Sequence, residues 1–190
     1  DDTSIGQIGA VGSFLEQIPM VKEWCRFAPC RQVKMKTESG ESLVVNPMQV
    51  TSNFFSFFGL GLTHGDAEQA LKVNGHEMSF VSSGDVVYAS AGPSDIDSKP
   101  LTPRGNVVLS KHIADAVFPE ENPIGKTISL LAEWDIHGTY TITGIAAELG
   151  KCVLPESDLY ISFYEAPAHR DSYMFKPNSK RDVKRILNII

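Results

Sequence analysis

The tripeptide Gly125-Lys126-Thr127 is the stretch of the chain whose residue types most suggest chemistry. A phosphate-binding loop ends in glycine, lysine and a hydroxyl residue, because backbone amides and the lysine ammonium hold the phosphates of a nucleotide. That loop also needs a glycine five residues before its second glycine, where this chain has Glu120. It needs a helix after the lysine, whereas the residues here alternate as in a strand. The segment is therefore predicted to bind no nucleotide.

Two groups of loop side chains could be imagined as acid–base sites. They are Asp85, Asp95, Asp97 and His112 in one group, and Glu133, Asp135 and His137 in the other. Catalytic acids and bases need burial or charged neighbours that shift their pKa values, which solvated loop charges lack. Ser90 is no better placed, since Tyr88 stands where a nucleophile elbow begins with glycine. We expect no catalytic residues, and a hydrolase with a dispersed loop site is the least favoured alternative.

The cysteines and histidines show no metal-ligand pattern. The three cysteines, Cys25, Cys30 and Cys152, form no Cys-x-x-Cys pair, and the five histidines are scattered along the chain. We therefore expect no metal and no other cofactor. Cys25 and Cys30 are expected to pack as small apolar side chains. A Cys25–Cys30 disulfide, which an oxidising compartment would permit, is the alternative.

The composition is that of a globular domain. Of the 190 residues, 42% are hydrophobic and 21% are charged, which is enough for a core. The net charge of -6 argues against nucleic acid as a partner, because no basic stripe is available to neutralise phosphates. No apolar run approaches the ~20 residues that span a bilayer, and no signal peptide opens the chain. We expect either a soluble piece of a membrane protein or a chain that never meets the membrane.

Residues 106–130 carry the most consistent local signals. The apolar run 107–109 predicts a buried strand, and Ser110 suits the cap of a following helix, because its hydroxyl can accept from an amide of the first turn. Pro119 ends this helix. The turn Asn122-Pro123-Ile124-Gly125 then leads into a second strand. This segment predicts a strand, a short helix, a turn and a strand.

The remaining elements are predicted from periodicity. They are helices at 4–18, 54–58, 67–73 and 178–190, with caps at Thr51 or Ser52, Asp66, and Asn178 or Ser179, and strands at 21–28, 31–37, 43–45, 78–81, 85–89, 138–147, 159–163 and 173–176. Gly6, Gly9 and Gly12 predict close approach of the first helix to a sheet. The phenylalanines of 54–58 could line a pocket, but core packing is favoured because each buried ring contributes about 1.5–3 kcal/mol.

Four segments, taken in order, resemble a family signature. They are VTSNFFSFFGLGLTHGD (Val50–Asp66), NVVLSKHIADAVFPEENPIGKTISL (Asn106–Leu130), YTITGI (140–145) and DLYIS (158–162). Together they resemble the extracytoplasmic core domain of MacB-type, FtsX-like ABC transporter permeases. The residues that match the family pattern, all with structural roles, are Phe54, Phe55, Gly59, Gly65, Ser110, Phe118, Pro119, Asn122, Pro123, Gly125, Lys126 and Gly144.

This resemblance implies an α+β fold of two lobes. Residues 1–49 and 166–190 would form a membrane-proximal α/β lobe built from discontinuous halves and cut short at its C-terminal end. Residues 50–165 would form an inserted, mostly β lobe with short helices.

The resemblance also implies a non-catalytic role at the extracytoplasmic, periplasmic face of the bacterial inner membrane. There the domain would transmit the ATP-driven motion of transmembrane helices to a substrate or partner. The implied partners are a cytoplasmic ATPase subunit or domain, and a periplasmic protein or a second permease copy.

The segment 76–105 departs from the family pattern. The family has a shorter connection here, whereas this chain has weak strands and a loop rich in Gly, Pro, Ser and Asp. Irregular surface loops tend to carry binding, so we expect specificity to lie in this insertion. The alternative function is accordingly a ligand- or peptide-sensing module that binds through an apolar groove formed by the insertion.

The presence of Glu120 where a phosphate-binding loop has glycine leads to the first testable prediction. Titration of the protein with Mg-ATP in a calorimeter should give no saturable heat, because the loop lacks the glycine that lets amides surround a phosphate. A micromolar dissociation constant would contradict this prediction.

Overall fold

The computed structural model describes residues 10–72, 101, 103–132, 136–148, 154–163 and 171–189. Within these ranges the fold is α+β, with short helices packed on one large mixed sheet. The expected fold class is confirmed. The strands predicted at 78–81 and 85–89, most of the insertion, Gly6, Gly9, Ser90 and Cys152 lie outside the described residues.

The elements follow one another in a simple order. They are α1 (Ala10–Glu16), β1 (Val21–Pro29), β2 (Val33–Thr37), β3 (Ser42–Val45), β4 (Pro47–Val50), α2 (Phe54–Phe58), β5 (Leu62–His64), β6 (Pro103–Ser110), α3 (Lys111–Val117), β7 (Thr127–Leu131), β8 (Gly138–Ala146), β9 (Leu159–Ser162), β10 (Ser172–Pro177) and α4 (Asp182–Leu187).

The described strands all belong to one sheet. Its order is β10-β1-β4-β9-β6-β8-β7-β2-β3, and β5 pairs with the end of β8. The pairs β4–β9 and β6–β8 are parallel, and the other pairs are antiparallel. Strands β2 and β3, from the segment expected in the membrane-proximal lobe, join this sheet through β7, which was expected in the inserted lobe. The division into two lobes stays a prediction.

The central strands β6 and β9 are buried on both faces of the sheet. Val107 and Leu109 belong to one cluster, which α3 covers with Ile113. Val108 points to the opposite face and belongs to a second cluster, which α2 covers. Successive side chains of a strand point to opposite faces, so this alternation places α2 and α3 on opposite sides of the sheet.

The phenylalanines of α2 form the centre of the second cluster. Phe54 and Phe55 are fully buried, and their ring centroids lie 5.6 and 5.1 Å from that of Tyr160 in β9. The predicted core role is therefore confirmed for both residues. The predicted cap is wrong, because Asn53 precedes α2 without a side-chain cap bond. Thr51 instead donates to Cys25 Sγ at 3.2 Å and accepts from the backbone amide of Arg26.

Two strands and one helix differ from the sequence predictions. Strand β4 was missed because all its residues are buried, which leaves no alternation to read. The three-residue β5 was missed because it is short. The helix predicted at 67–73 forms turns over 67–71, although Asp66 does accept from the amides of Glu68 and Gln69.

Element boundaries needed smaller corrections. Strand β6 begins at Pro103, so the last part of the expected irregular insertion is a strand. Strand β1 extends to Pro29, one residue beyond the predicted 21–28, and its register against β10 shifts between Val21 and Glu23. Helix α4 is preceded by Arg181, and Asn178 instead donates to the carbonyl of Pro19 at 2.8 Å.

Neither Cys25 nor Cys30 is in a disulfide, and both contribute to packing. Cys25 is fully buried, and Cys30 is partly buried against the first cluster. Five residues of nearly extended chain separate them by roughly 16 Å, whereas a disulfide needs Cα atoms within about 7 Å. The Cys25–Cys30 alternative is therefore wrong. Burial raises the pKa of the Cys25 thiol to about 11, so this thiol stays protonated at neutral pH.

Replacement of Phe54 by alanine should lower the free energy of unfolding by about 3–5 kcal/mol, because a fully buried ring leaves a cavity. Urea denaturation followed by circular dichroism measures this change. The control is Phe14→Ala in α1, whose side chain is 39% exposed and whose loss should cost much less. Equal stability of the two variants would show that Phe54 is not a core residue.

Candidate functional site

The residues of the first family motif end a helix and a turn. Gly59 follows α2 with φ of 66°, the left-handed conformation that a helix C-terminus favours in glycine. Gly65 has φ of 93°, and a Cβ at this position would lie 2.4 Å from the carbonyl oxygen of Thr143. A side chain at Gly144 would meet Leu62 and Val108. The motif residues Gly65 and Gly144 therefore lie together where β5 pairs with β8.

The residues of the second motif shape the ends of α3 and the turn that follows it. Ser110 Oγ accepts from the amide of Ile113 at 3.3 Å, which confirms the predicted cap. Phe118 is the C-cap residue of α3, and Pro119 and the buried Pro123 follow it. Asn122 Oδ1 accepts from the amide of Ile124 within the predicted turn.

Gly125 and Lys126 complete this turn and dock it on β8. Gly125 has φ of 86°, and its amide donates to the carbonyl of Ile142 at 2.8 Å. The Lys126 ammonium pairs with Glu121 and lies 5.1 Å from the centroid of the Phe118 ring. The lysine is thus engaged inside its own turn, and a strand follows it, as predicted. The two motifs dock on adjacent residues of β8, and their role as a family signature stays a prediction.

The structure places only two of the imagined acid–base residues. His112 is exposed on α3, and His137 is buried, where its Nδ1 accepts from the amide of Ala132 at 3.2 Å. The carboxylates Asp85, Asp95, Asp97, Glu133 and Asp135 lie outside the described residues. Among the residues that the structure describes, no three His, Cys, Asp or Glu side chains are placed to hold a metal ion.

A buried ion pair between β1 and the residue before β10 was not predicted from the sequence. Arg26 Nη2 lies 2.6 Å from Asp171 Oδ2, and Arg26 Nε donates to the same oxygen at 2.8 Å. The Asp171 side chain is only 2% exposed. The guanidinium carbon lies 3.6 Å from the centroid of the Phe163 ring. Arg26 alternates in β1 with the buried Cys25 and Phe27, so periodicity alone assigns it to a solvated face.

The first and last described helices meet in a third apolar cluster, which we name the α1–α4 cluster. Its buried members are Leu15, Ile18 and Ile186, and its partly buried members are Val11, Met20, Val21, Trp24, Tyr173 and Phe175. Gly12 lets α1 approach β1, because a Cβ there would lie 2.7 Å from the Trp24 ring. This confirms, for Gly12, the predicted close approach of helix and sheet. Helices α1 and α4 are therefore joined through the strands β1 and β10.

An open groove of about 460 Å³ lies beside this cluster. Leu15 and Trp24 form part of its lining, together with Glu16, Lys22, Glu23 and Asn53. Asn53 Nδ2 donates to Glu23 Oε1 and to the carbonyl of Trp24, and Lys176 pairs with Glu23 at 3.2 Å. Glu23 is thus engaged in surface contacts, which suits a contact surface better than a reaction centre.

The fold is that of the extracytoplasmic domains of ABC transporter permeases. A domain assigned to a permease protein from Porphyromonas gingivalis superposes with a TM-score of 0.63 at 15% identity, covering 96% of this chain and 68% of that one. The periplasmic region of MacB from Actinobacillus actinomycetemcomitans gives 0.58 at 14% identity, covering 93% and 67%. The extracellular domain of the noncanonic ABC-type transporter YknZ from Gram-positive bacteria gives 0.55 at 15% identity, covering 93% and 80%.

These likenesses confirm, at the level of the fold, the resemblance that the sequence motifs indicated. No protein-family model and no curated protein sequence matches the chain. Within the described ranges, every helix is too short or too polar to cross a bilayer.

The buried ion pair yields a prediction about stability. Arg26→Met should lower the free energy of unfolding by about 3–5 kcal/mol, because it removes the cation that lies 2.6 Å from the buried Asp171 carboxylate. Adding Asp171→Leu should restore most of this loss. The comparison is Lys176→Met, which removes a more exposed ion pair between the same strands and should cost about 1 kcal/mol or less. Additive losses in the double variant would contradict the prediction.

Proposed function

We propose that this chain is the extracytoplasmic domain of an ABC transporter permease, and that it transmits ATP-driven motion of transmembrane helices to a substrate or partner outside the inner membrane. One observation carries the proposal: α1 and α4, the first and last described helices, meet in the α1–α4 cluster of a chain that has this fold over nearly all its length. Both helices belong to the segments 1–49 and 166–190, which are predicted to form the membrane-proximal lobe.

The packing offers a route for this motion. Leu15 and Ile186 are 2% and 0% exposed, so a shift of α1 cannot leave α4 in place without opening a cavity. The cluster rests on the paired strands β1 and β10, whose register runs from Val21 to Phe27. Strand β1 then pairs with β4, and β4 pairs with β9 at the centre of the sheet. Movement of the two helices would therefore displace the sheet as one body.

The remaining parts of the proposal follow from this role. The domain would be non-catalytic and would lie on the periplasmic face of the bacterial inner membrane. Its partners would be a cytoplasmic ATPase subunit or domain, and a periplasmic protein or a second permease copy. The predicted division into lobes, and specificity within residues 76–105, belong to the same proposal.

A ligand- or peptide-sensing module is the second candidate. The open groove beside Trp24 favours it, although the lining residues of this groove do not belong to the insertion 76–105, where the binding site was expected. Its lining combines an aromatic ring with charged and amide groups, as peptide-binding surfaces do. This candidate predicts that a ligand protects Trp24 from quenching by acrylamide. Transmission alone predicts no such protection.

The proposed function is tested in the intact transporter by the variant Ile186→Ala. This change creates a cavity between α4 and the rest of the cluster, so we expect transport to fall severalfold while ATP hydrolysis by the complex persists. Transport and ATPase activity are measured on the same reconstituted sample, and their ratio reports the coupling.

The matched control is Ile113→Ala in α3. It removes an equally buried isoleucine from the first cluster, on another part of the sheet. It should lower thermal stability by a similar amount without changing the ratio of transport to ATP hydrolysis. If both variants lowered this ratio equally, general loss of stability would explain the effect and the α1–α4 cluster would have no special part in coupling.

A further inference from the structure

Helix α4 and the turn before it are basic in an otherwise acidic chain. Residues 176–190 contain five basic side chains and one acidic one, whereas the other 175 residues contain twelve basic and twenty-two acidic ones. Lys180, Arg181, Lys184 and Arg185 are all exposed. This segment therefore carries a local net positive charge in a chain whose remainder is net negative, and it lies next to the α1–α4 cluster.

Exposed apolar side chains accompany this charge. Leu187 is 61% exposed and Ile189 is 48% exposed, and they lie two and four residues after Arg185. With ~100° of rotation per helical residue, Lys184 lies about 160° around α4 from the buried Ile186, and Leu187 lies about 60° from Lys184. Positive and apolar groups thus share the outward side of α4.

The body of the molecule holds α4 in this orientation. Ile186 is fully buried in the α1–α4 cluster. In the turn before α4, the amide of Asn178 donates to the carbonyl of Met20, and its side chain donates to the carbonyl of Pro19. Ser179 Oγ donates to Asp182 Oδ2 at 2.7 Å. The exposed side is therefore presented by a fixed element.

We propose that this surface, which we name the α4 surface (Lys180, Arg181, Lys184, Arg185, Leu187 and Ile189), docks on an anionic phospholipid membrane. Anionic headgroups attract the four cations, and the two aliphatic side chains enter the boundary between headgroups and acyl chains. Charge complementarity selects this occupant. The net negative charge of the rest of the chain is repelled by the same membrane, so the orientation with α4 towards the lipid is favoured.

The α4 surface does not depend on the proposed transmission role. Its test uses this chain and vesicles alone, whereas transmission is tested by coupling in the intact transporter. Failure of either test leaves the other proposal standing.

The test is sedimentation of the protein with vesicles of phosphatidylglycerol and phosphatidylcholine in equal parts, compared with vesicles of phosphatidylcholine alone. We expect the protein to bind the anionic vesicles, and the binding to weaken as the salt concentration is raised, because salt screens the attraction. Each basic residue near the membrane surface raises the affinity about fivefold. The variant Lys184→Gln/Arg185→Gln should bind roughly 25-fold more weakly. The matched control Arg31→Gln/Lys72→Gln removes two exposed cations elsewhere and should bind as the unaltered protein does.

A second variant, Leu187→Gln/Ile189→Gln, distinguishes docking that includes apolar contact with the lipid from purely electrostatic adsorption of the protein. It keeps every cation and should still bind severalfold more weakly, because it removes the apolar contact. All altered side chains are exposed, and circular dichroism verifies that each variant is folded. Any of three results would overturn the proposal. The first is that the protein binds both vesicle types equally, the second is that the cation variant in α4 and its control lose the same affinity, and the third is that the protein binds soluble polyglutamate without binding vesicles.

Discussion

The burial of β6 and β9 on both faces is the constraint on which the rest of the structure depends. Val108 and Tyr160 point to the face that α2 covers, and Val107, Leu109 and Ile161 point to the face that α3 covers. A slip of one residue in either strand would exchange these two sets of side chains, so the register is strongly specified. The short helices α2 and α3 have few residues each, and their stability comes from covering these two faces.

Strand β8 pairs with β6, and both family motifs are positioned by contacts with β8. The turn at Gly125 docks on Ile142, and the turn at Gly65 docks on Thr143 and Gly144, so both motifs meet three consecutive residues of one strand. The β6–β8 register shifts at this place, and Thr143 Oγ1 donates to the carbonyl of Ala70 at 2.6 Å. Motif glycines far apart in the chain are therefore required by the same short stretch of backbone.

Structural features that depend only on neighbouring residues could be predicted from the sequence. Ser110 caps α3 as predicted, because a hydroxyl next to the first turn is a local cause. Strand β4 was missed because both its faces are buried and its parallel pairing with β9 joins residues more than 100 positions apart. The Arg26–Asp171 pair was missed for the same reason: its two residues are 145 positions apart, and nothing near Arg26 distinguishes it from a surface arginine. The α1–α4 cluster could be predicted only as two apolar helix faces, since their meeting depends on the pairing of β1 with β10.

Helix α4 connects the two proposals physically. Its inward side chain, Ile186, is packed against α1 and the sheet, and its outward side chains include Lys184 and Leu187. A helix held on one side by an apolar cluster and on the other by lipid headgroups is constrained at both surfaces. If both proposals hold, a movement of the membrane segments must either carry α4 with the sheet or break its contact with the lipid. The ion pair of Arg26 with Asp171 favours the first outcome, because it ties β1 to the segment that enters β10 and makes this end of the sheet costly to separate.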